Sequence, residues 1–210
     1  MSVIQTSNDS RCALIPVGEI ATRPVVNNNG SRVYVAGVSM VKGPKLSAID
    51  TASNSIIATV PLTIVPADLT IHPNGSRLYV AGMSMEGEPR LMVVTTTSHT
   101  VVSDIRLPYP PALLAMDPKG SKLYVVYFDE PMVSLIQTGK GRLVKNIKVG
   151  NDPVATAFTQ DGSTIYIANQ GSGTASVIRT SDSRVVATVN VGQSPRALGI
   201  ASIPKNAGPK

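Results

Sequence analysis

The sequence predicts an all-β fold of the β-propeller class, built from four-stranded antiparallel blades, and three observations predict it. One short segment is written four times: NNGSRVYVAG at 28–37, NGSRLYVAG at 74–82, KGSKLYVVY at 119–127 and DGSTIYIAN at 161–169. Its glycines Gly30, Gly75, Gly120 and Gly162 stand 45, 45 and 42 residues apart, and Tyr34, Tyr79, Tyr124 and Tyr166 keep the same intervals. A period of that length made of short strands marks propeller blades. Two further series keep register with the first. One is IQT at 4–6, IDT at 49–51, VTT at 94–96, IQT at 136–138 and IRT at 178–180; the other is VGEIA at 17–21, LTIVP at 62–66, LPYPP at 107–111, VGNDP at 149–153 and VGQSP at 191–195. Finally, no stretch carries a helical apolar period, and 17 Gly with 16 Pro suit a chain of many turns.

Taken in order, residues 3–6 and 12–17 read as the third and fourth strands of an incomplete blade. Complete blades follow at about 21–62, 66–107, 111–149 and 153–191, and 195–201 reads as a lone inner strand. The tail 204–210 has two prolines and no β-branched residue, so it makes a poor strand. The expectation is one propeller domain over 1–203 with about 4.75 blades. The last blade shows the logic of one unit. Pro153 opens strand A at 154–158, Asp161-Gly162 makes the reversal because glycine tolerates positive φ, and strand B runs over 164–168. Strand C at 175–180 and strand D at 184–191 complete it. Apolar and β-branched residues fill all four strands, as a sheet covered on both faces requires.

The pattern PxxxxxxPNGSRLYVAG at 66–82, with SAIDTASNSIIATVPL at 47–62, resembles the YVTN family of β-propeller repeats, met in archaeal surface-layer proteins and bacterial exported propellers. The resemblance extends from about Val3 to Ala201, and the copy at 161–195 follows the family pattern most closely. It implies either an arc of a larger ring, commonly seven blades in this family, or a five-bladed ring with one defective blade. It favours the periplasm or cell surface if the chain is a piece of a longer protein, and the cytoplasm if the chain is complete. Its motif residues belong to turns and packing, so the resemblance implies no chemistry.

Composition narrows the function classes. No apolar run approaches the roughly 18 residues that cross a bilayer as a helix, and residues 1–8 show no secretory pattern. Cys12 is the only cysteine, so neither an internal disulfide nor a cysteine metal cluster is expected. The net charge is +6, but the 19 Lys and Arg are scattered. Lys140, Arg142, Lys145 and Lys148 form the densest group and read as a solvated edge, so no nucleic-acid partner is expected. No cofactor is expected either: Gly171-Ser172-Gly173 is a β-turn with no helix behind it to cradle a phosphate. His72 and His99 fall in the A–B and C–D turns, away from the variable loops, which leaves a histidine-centred mechanism or metal site without support.

Candidate binding residues follow from where the units differ. The 45-versus-42 difference falls in the B–C loop, long at 38–44 and 83–89 and short at 128–132 and 170–174, so variation collects on one face around the channel mouth. Met40 and Met85 in the long loops are adaptable apolar contacts for a ligand or partner, or else pack beneath their own loops. Arg23 and Asp68 hold equivalent positions in adjacent units, with Arg196 one residue off it in the last. They form either a small anion site or an ion pair with each other. Tyr109, Phe128, Asp129 and Glu130 are further departures on this face, the two carboxylates also being a weak calcium candidate. The function expected is therefore a non-catalytic binding or protein-interaction propeller, its small ligand or protein partner on the variable face. The alternatives are a propeller enzyme of the lactonase or lyase sort and a structural cell-envelope module. Unpaired strands at the two ends add an expectation of self-association.

Overall fold

The computed structural model describes residues 1–201. All its regular structure is β. A two-stranded ribbon comes first, β1 (Ser2–Gln5) with β2 (Ser10–Leu14). The first full blade has an inner edge in two pieces, β3 (Ile20–Ala21) and β4 (Val25–Val26), both paired to β5 (Arg32–Ser39), followed by β6 (Gly43–Asp50) and β7 (Ser55–Pro61). The second is β8 (Ile64–Ile71), β9 (Arg77–Ser84), β10 (Pro89–Thr95) and β11 (Val101–Arg106). The third is β12 (Pro111–Met116), β13 (Lys122–Tyr127), β14 (Met132–Gln137) and β15 (Arg142–Lys148), and the fourth β16 (Pro153–Phe158), β17 (Thr164–Asn169), β18 (Thr174–Arg179) and β19 (Arg184–Asn190). Within each of the last three blades every strand pairs antiparallel with the next in sequence, the meander of a propeller blade, and the first blade differs only in its divided inner edge. Inner strands of successive blades lie against one another, β8 on β12 and β12 on β16, which sets strand A at the axis.

Two expectations are corrected. The ladder of strand A in the first blade is broken: it stops after Ala21 and resumes at Val25, with Pro24 in the gap at the position of Leu69 in the second blade. Residues 196–201 form no strand, since no neighbouring strand among the described residues supplies the hydrogen bonds that would define one. The tail 204–210 lies outside the described residues.

The repeated residues are the ones that hold the blades. Gly30, Gly75, Gly120 and Gly162 take φ between 68° and 75° and close the A–B turns, each N–H donating to the carbonyl three residues back at 2.7–2.9 Å. The threonine series bonds to those same glycines: the hydroxyls of Thr51, Thr96, Thr138 and Thr180 donate to the carbonyls of Gly30, Gly75, Gly120 and Gly162 at 2.6–2.8 Å. Each C–D turn is thus tied to the A–B turn of its own blade. Between blades lie the apolar layers, and the tyrosines face forward across them. Tyr34 packs with the second blade, Tyr79 with the third, and Tyr124 with the fourth, where Phe158 meets it edge-on at 5.8 Å. Burial raises the pKa of all three tyrosines. The Tyr79 and Tyr124 hydroxyls are buried without a hydrogen bond, although Arg77 and Ser183 stand near enough to moderate the rise. On the outer strand β15, Lys145 is more than a solvated charge, because its ammonium donates to the Asp182 and Ser183 carbonyls of the fourth blade at 3.2 and 2.7 Å.

Candidate functional site

The variable face is shaped by one position near the end of strand B. It holds Gly37 and Gly82 in the first two blades, Tyr127 and Asn169 in the others. A Cβ on Gly82 would sit 2.1 Å from the Val65 carbonyl oxygen, and one on Gly37 would sit 2.9 Å from the carbonyl oxygens of Ile20 and Val17. Glycine therefore lets strand A run close beside strand B for longer, and the ladders reach Val38 and Ser84. About half of what the sequence marks as long loops at 38–44 and 83–89 is consequently strand. What projects are two tight tips, 40–42 and 85–88, closed by Gly43 (φ 74°) and Gly87 (φ 83°).

These tips carry apolar side chains into solvent. Met40 is 80 % exposed, Val41 90 % and Met85 75 %. Neither methionine packs beneath its loop. Ile20 and Val65, on the inner strands of the same two blades, are also exposed. The backbone below is fixed: the Met40 N–H donates to Glu19 Oε2 at 3.1 Å, and Ser84 N–H to the Glu88 carbonyl at 2.8 Å. Beside the second tip, Arg90 and Arg106 flank the Glu88 carboxylate, and Asp104 stands 3.6 Å from Arg90. Both arginines hold that carboxylate below its ordinary pKa, with the Arg90 hydrogen bond foremost. Val41 was legible only as the neighbour of Met40. The charge cluster left no signal in the sequence, because it assembles across the β10–β11 ladder.

Toward the third blade the candidates separate. Phe128 is exposed at a turn where Asp129 takes φ 54°, a left-handed conformation that aspartate tolerates. Tyr109 is half-buried and packs edge-on against Tyr127 at 5.7 Å, so its ring serves the core as much as the surface. Burial pushes the Tyr127 hydroxyl up to about 12. Glu130 follows Asp129 with no third ligand at hand, since no three His, Cys, Asp or Glu gather as metal ligands would among the described residues.

At the axis, Arg23, Asp68 and Arg196 come together in two ways. Arg23 pairs with Asp68 at 3.2 Å, its own side chain mostly exposed and that of Asp68 buried. Asp68 Oδ2 also accepts the backbone N–H of Leu114, on the inner strand of the third blade, at 2.8 Å. One buried carboxylate thus joins three blades. Arg196 stands apart from this pair, yet it lines the same 260 Å³ cavity as Arg23, together with Leu113, Leu114 and Thr156 of the inner strands. The Arg–Asp pairing was readable from equivalent positions. The backbone partner was not, because no side-chain pattern announces a main-chain N–H.

No known family profile matches the chain, and no curated protein matches it in sequence. Solved structures do. A chain of Kuenenia stuttgartiensis hydrazine synthase, a β-propeller-containing protein, superposes with a TM-score of 0.70 at 20 % identity over 86 % of this chain. The match takes in 51 % of that chain, so the present chain spans about half the length of its structural counterpart. At that identity the likeness concerns fold alone: the chain is an arc of β-propeller blades.

Proposed function

We propose that this chain is a non-catalytic propeller of the YVTN repeat type whose partner is a protein docking on the two hairpin tips. One observation carries the reading: Met40, Val41 and Met85 stand 75–90 % exposed on adjacent hairpins whose backbones are fixed by the ladders below. Leaving such side chains in water forgoes burial worth about 1.5–3 kcal/mol each, a sacrifice that points to a covering surface. The tips are convex. Small ligands sit in concave pockets, whereas protruding methionines fit a groove on another protein. The repeat's resemblance to exported and surface-layer propellers supports an interaction role, as does a rigid scaffold that varies on one face. Asp68 lies beside the channel but is engaged by Arg23 and Leu114, an arrangement that suits scaffolding better than proton transfer.

The test replaces Met40, Val41 and Met85 together by serine and compares the proteins captured by immobilised parent and variant. A species held by the parent and lost with the variant, at unchanged melting temperature, supports the reading. Identical capture by both overturns it.

A further inference from the structure

We propose that the axial cavity binds a small free carboxylate anion, held by the Thr156 backbone N–H and the Arg196 guanidinium, with Arg23 at its rim. The molecule contains a worked example of such binding. The Asp68 carboxylate accepts the Leu114 N–H at 2.8 Å and pairs with Arg23 at 3.2 Å, so an inner-strand N–H beside an arginine already forms a carboxylate site.

The repeat places the same N–H one blade further on. Leu114 stands opposite Val125 in the β12–β13 ladder, and its N–H points away from β13 toward Asp68. Thr156 stands opposite Ile167 in the β16–β17 ladder, the equivalent register 42 residues later, so its N–H points the same way. In the third blade, however, the position of Asp68 is taken by Leu113, which has nothing to accept with. A main-chain donor facing a cavity requires a partner. Arg196 lines that cavity and makes no ion pair or side-chain hydrogen bond among the described residues.

The chemical class follows from the donors and the space. A guanidinium fork beside one amide N–H matches the planar, two-oxygen geometry of a carboxylate. The cavity of 260 Å³ is below the roughly 300–1,000 Å³ of drug-sized ligand pockets, so the ligand is an acid of a few carbons. This site is independent of the hairpin tips, and the two readings fail separately.

The experiment is calorimetric titration of the full chain with sodium succinate, with uncharged succinamide as control at matched ionic strength. Hydrogen exchange of the segment containing Thr156 is followed in parallel. Saturable binding of succinate alone, with slowed exchange at that segment, is expected. Arg196→Gln, at an exposed position, keeps the melting temperature and weakens binding about tenfold, as loss of a charge-assisted hydrogen bond does. Leu113→Asp offers the Thr156 N–H a carboxylate from the chain itself, slows exchange at Thr156 without added acid and abolishes succinate binding. Absence of saturable binding by the parent, equal response to succinamide, or full affinity in Arg196→Gln overturns the proposal.

Discussion

At the scale of single residues, the turns show how little of the repeat is arbitrary. Asp161 Oδ1 accepts from the Thr159 hydroxyl at 2.6 Å and from the Ser163 N–H and hydroxyl at 3.0 and 2.9 Å. Asn29 and Asn74 do the same for Ser31 and Ser76 in the first two blades. The aspartate differs in being titratable: the Thr159 hydroxyl foremost, then Ser163, hold its carboxyl down to about 2. An unfolded aspartate titrates near 3.9. The folded form therefore gains stability above about pH 4, and that gain is lost as pH falls toward 2. Asp161→Asn keeps the acceptor, as Asn74 does, and removes the titration. Melting temperatures measured from pH 5 to pH 2 are expected to fall less steeply for this variant than for the parent; identical slopes would contradict the assignment. The sequence made the Asn-Gly and Asp-Gly turns legible because their φ requirement is local. It hid the threonine bonds to the turn glycines, since those link segments 18 to 21 residues apart.

At the scale of elements, the two extended hairpins show the opposite balance. Their tips read as long loops because Gly-Met-Ser-Met at 82–85 lacks the β-branched residues that announce a strand. The structure makes most of that segment a ladder, and the enabling residue is Gly82, whose missing Cβ leaves room for the Val65 carbonyl. Gly82→Ala is expected to force β8 from β9 above this point and cost about 1–3 kcal/mol, in line with other overpacked positions. Chemical denaturation measures the cost. Hydrogen exchange is expected to accelerate at 83–88 while the third and fourth blades stay protected, and uniform protection with parental stability would mean the hairpin does not depend on this glycine. The broken inner strand of the first blade has the same lesson in reverse. Pro24 is visible in the sequence, but nothing there announces that the inner strand stops after Ala21 and resumes at Val25.

At the scale of the whole molecule, equivalent positions measure what one blade does for the next. Leu62, Leu107 and Val149 are 6 %, 2 % and 9 % exposed, whereas Val191 at the same position of the fourth blade is 48 % exposed. Tyr166 is likewise only half-buried where Tyr34, Tyr79 and Tyr124 are buried. On the other side, β1 pairs with β2 alone and leaves an open edge. Taken by itself, the chain 1–210 is therefore expected to self-associate through these surfaces, with a mass by light scattering that rises with concentration. A constant monomer mass would contradict this. The fold was legible because four copies of one unit each state the same packing. The axial cavity was legible in part: the repeat positions of Arg23 and Arg196 placed them in one cluster, whereas the inner-strand backbone around them, Leu114 and Thr156, carries no side-chain signal. The central claim is that repeated residues hold the blades together and departures from the repeat face a partner, and paired denaturation of Tyr79→Ala and Met85→Ala tests it most directly. Tyr79 is 2 % exposed between the second and third blades, and its loss is expected to cost about 3–5 kcal/mol. Met85→Ala is expected to stay within about 0.5 kcal/mol of the parent, as exposed positions do. A Tyr79→Ala protein as stable as the parent, beside a Met85→Ala protein that unfolds, would show that core and contact face are assigned the wrong way round.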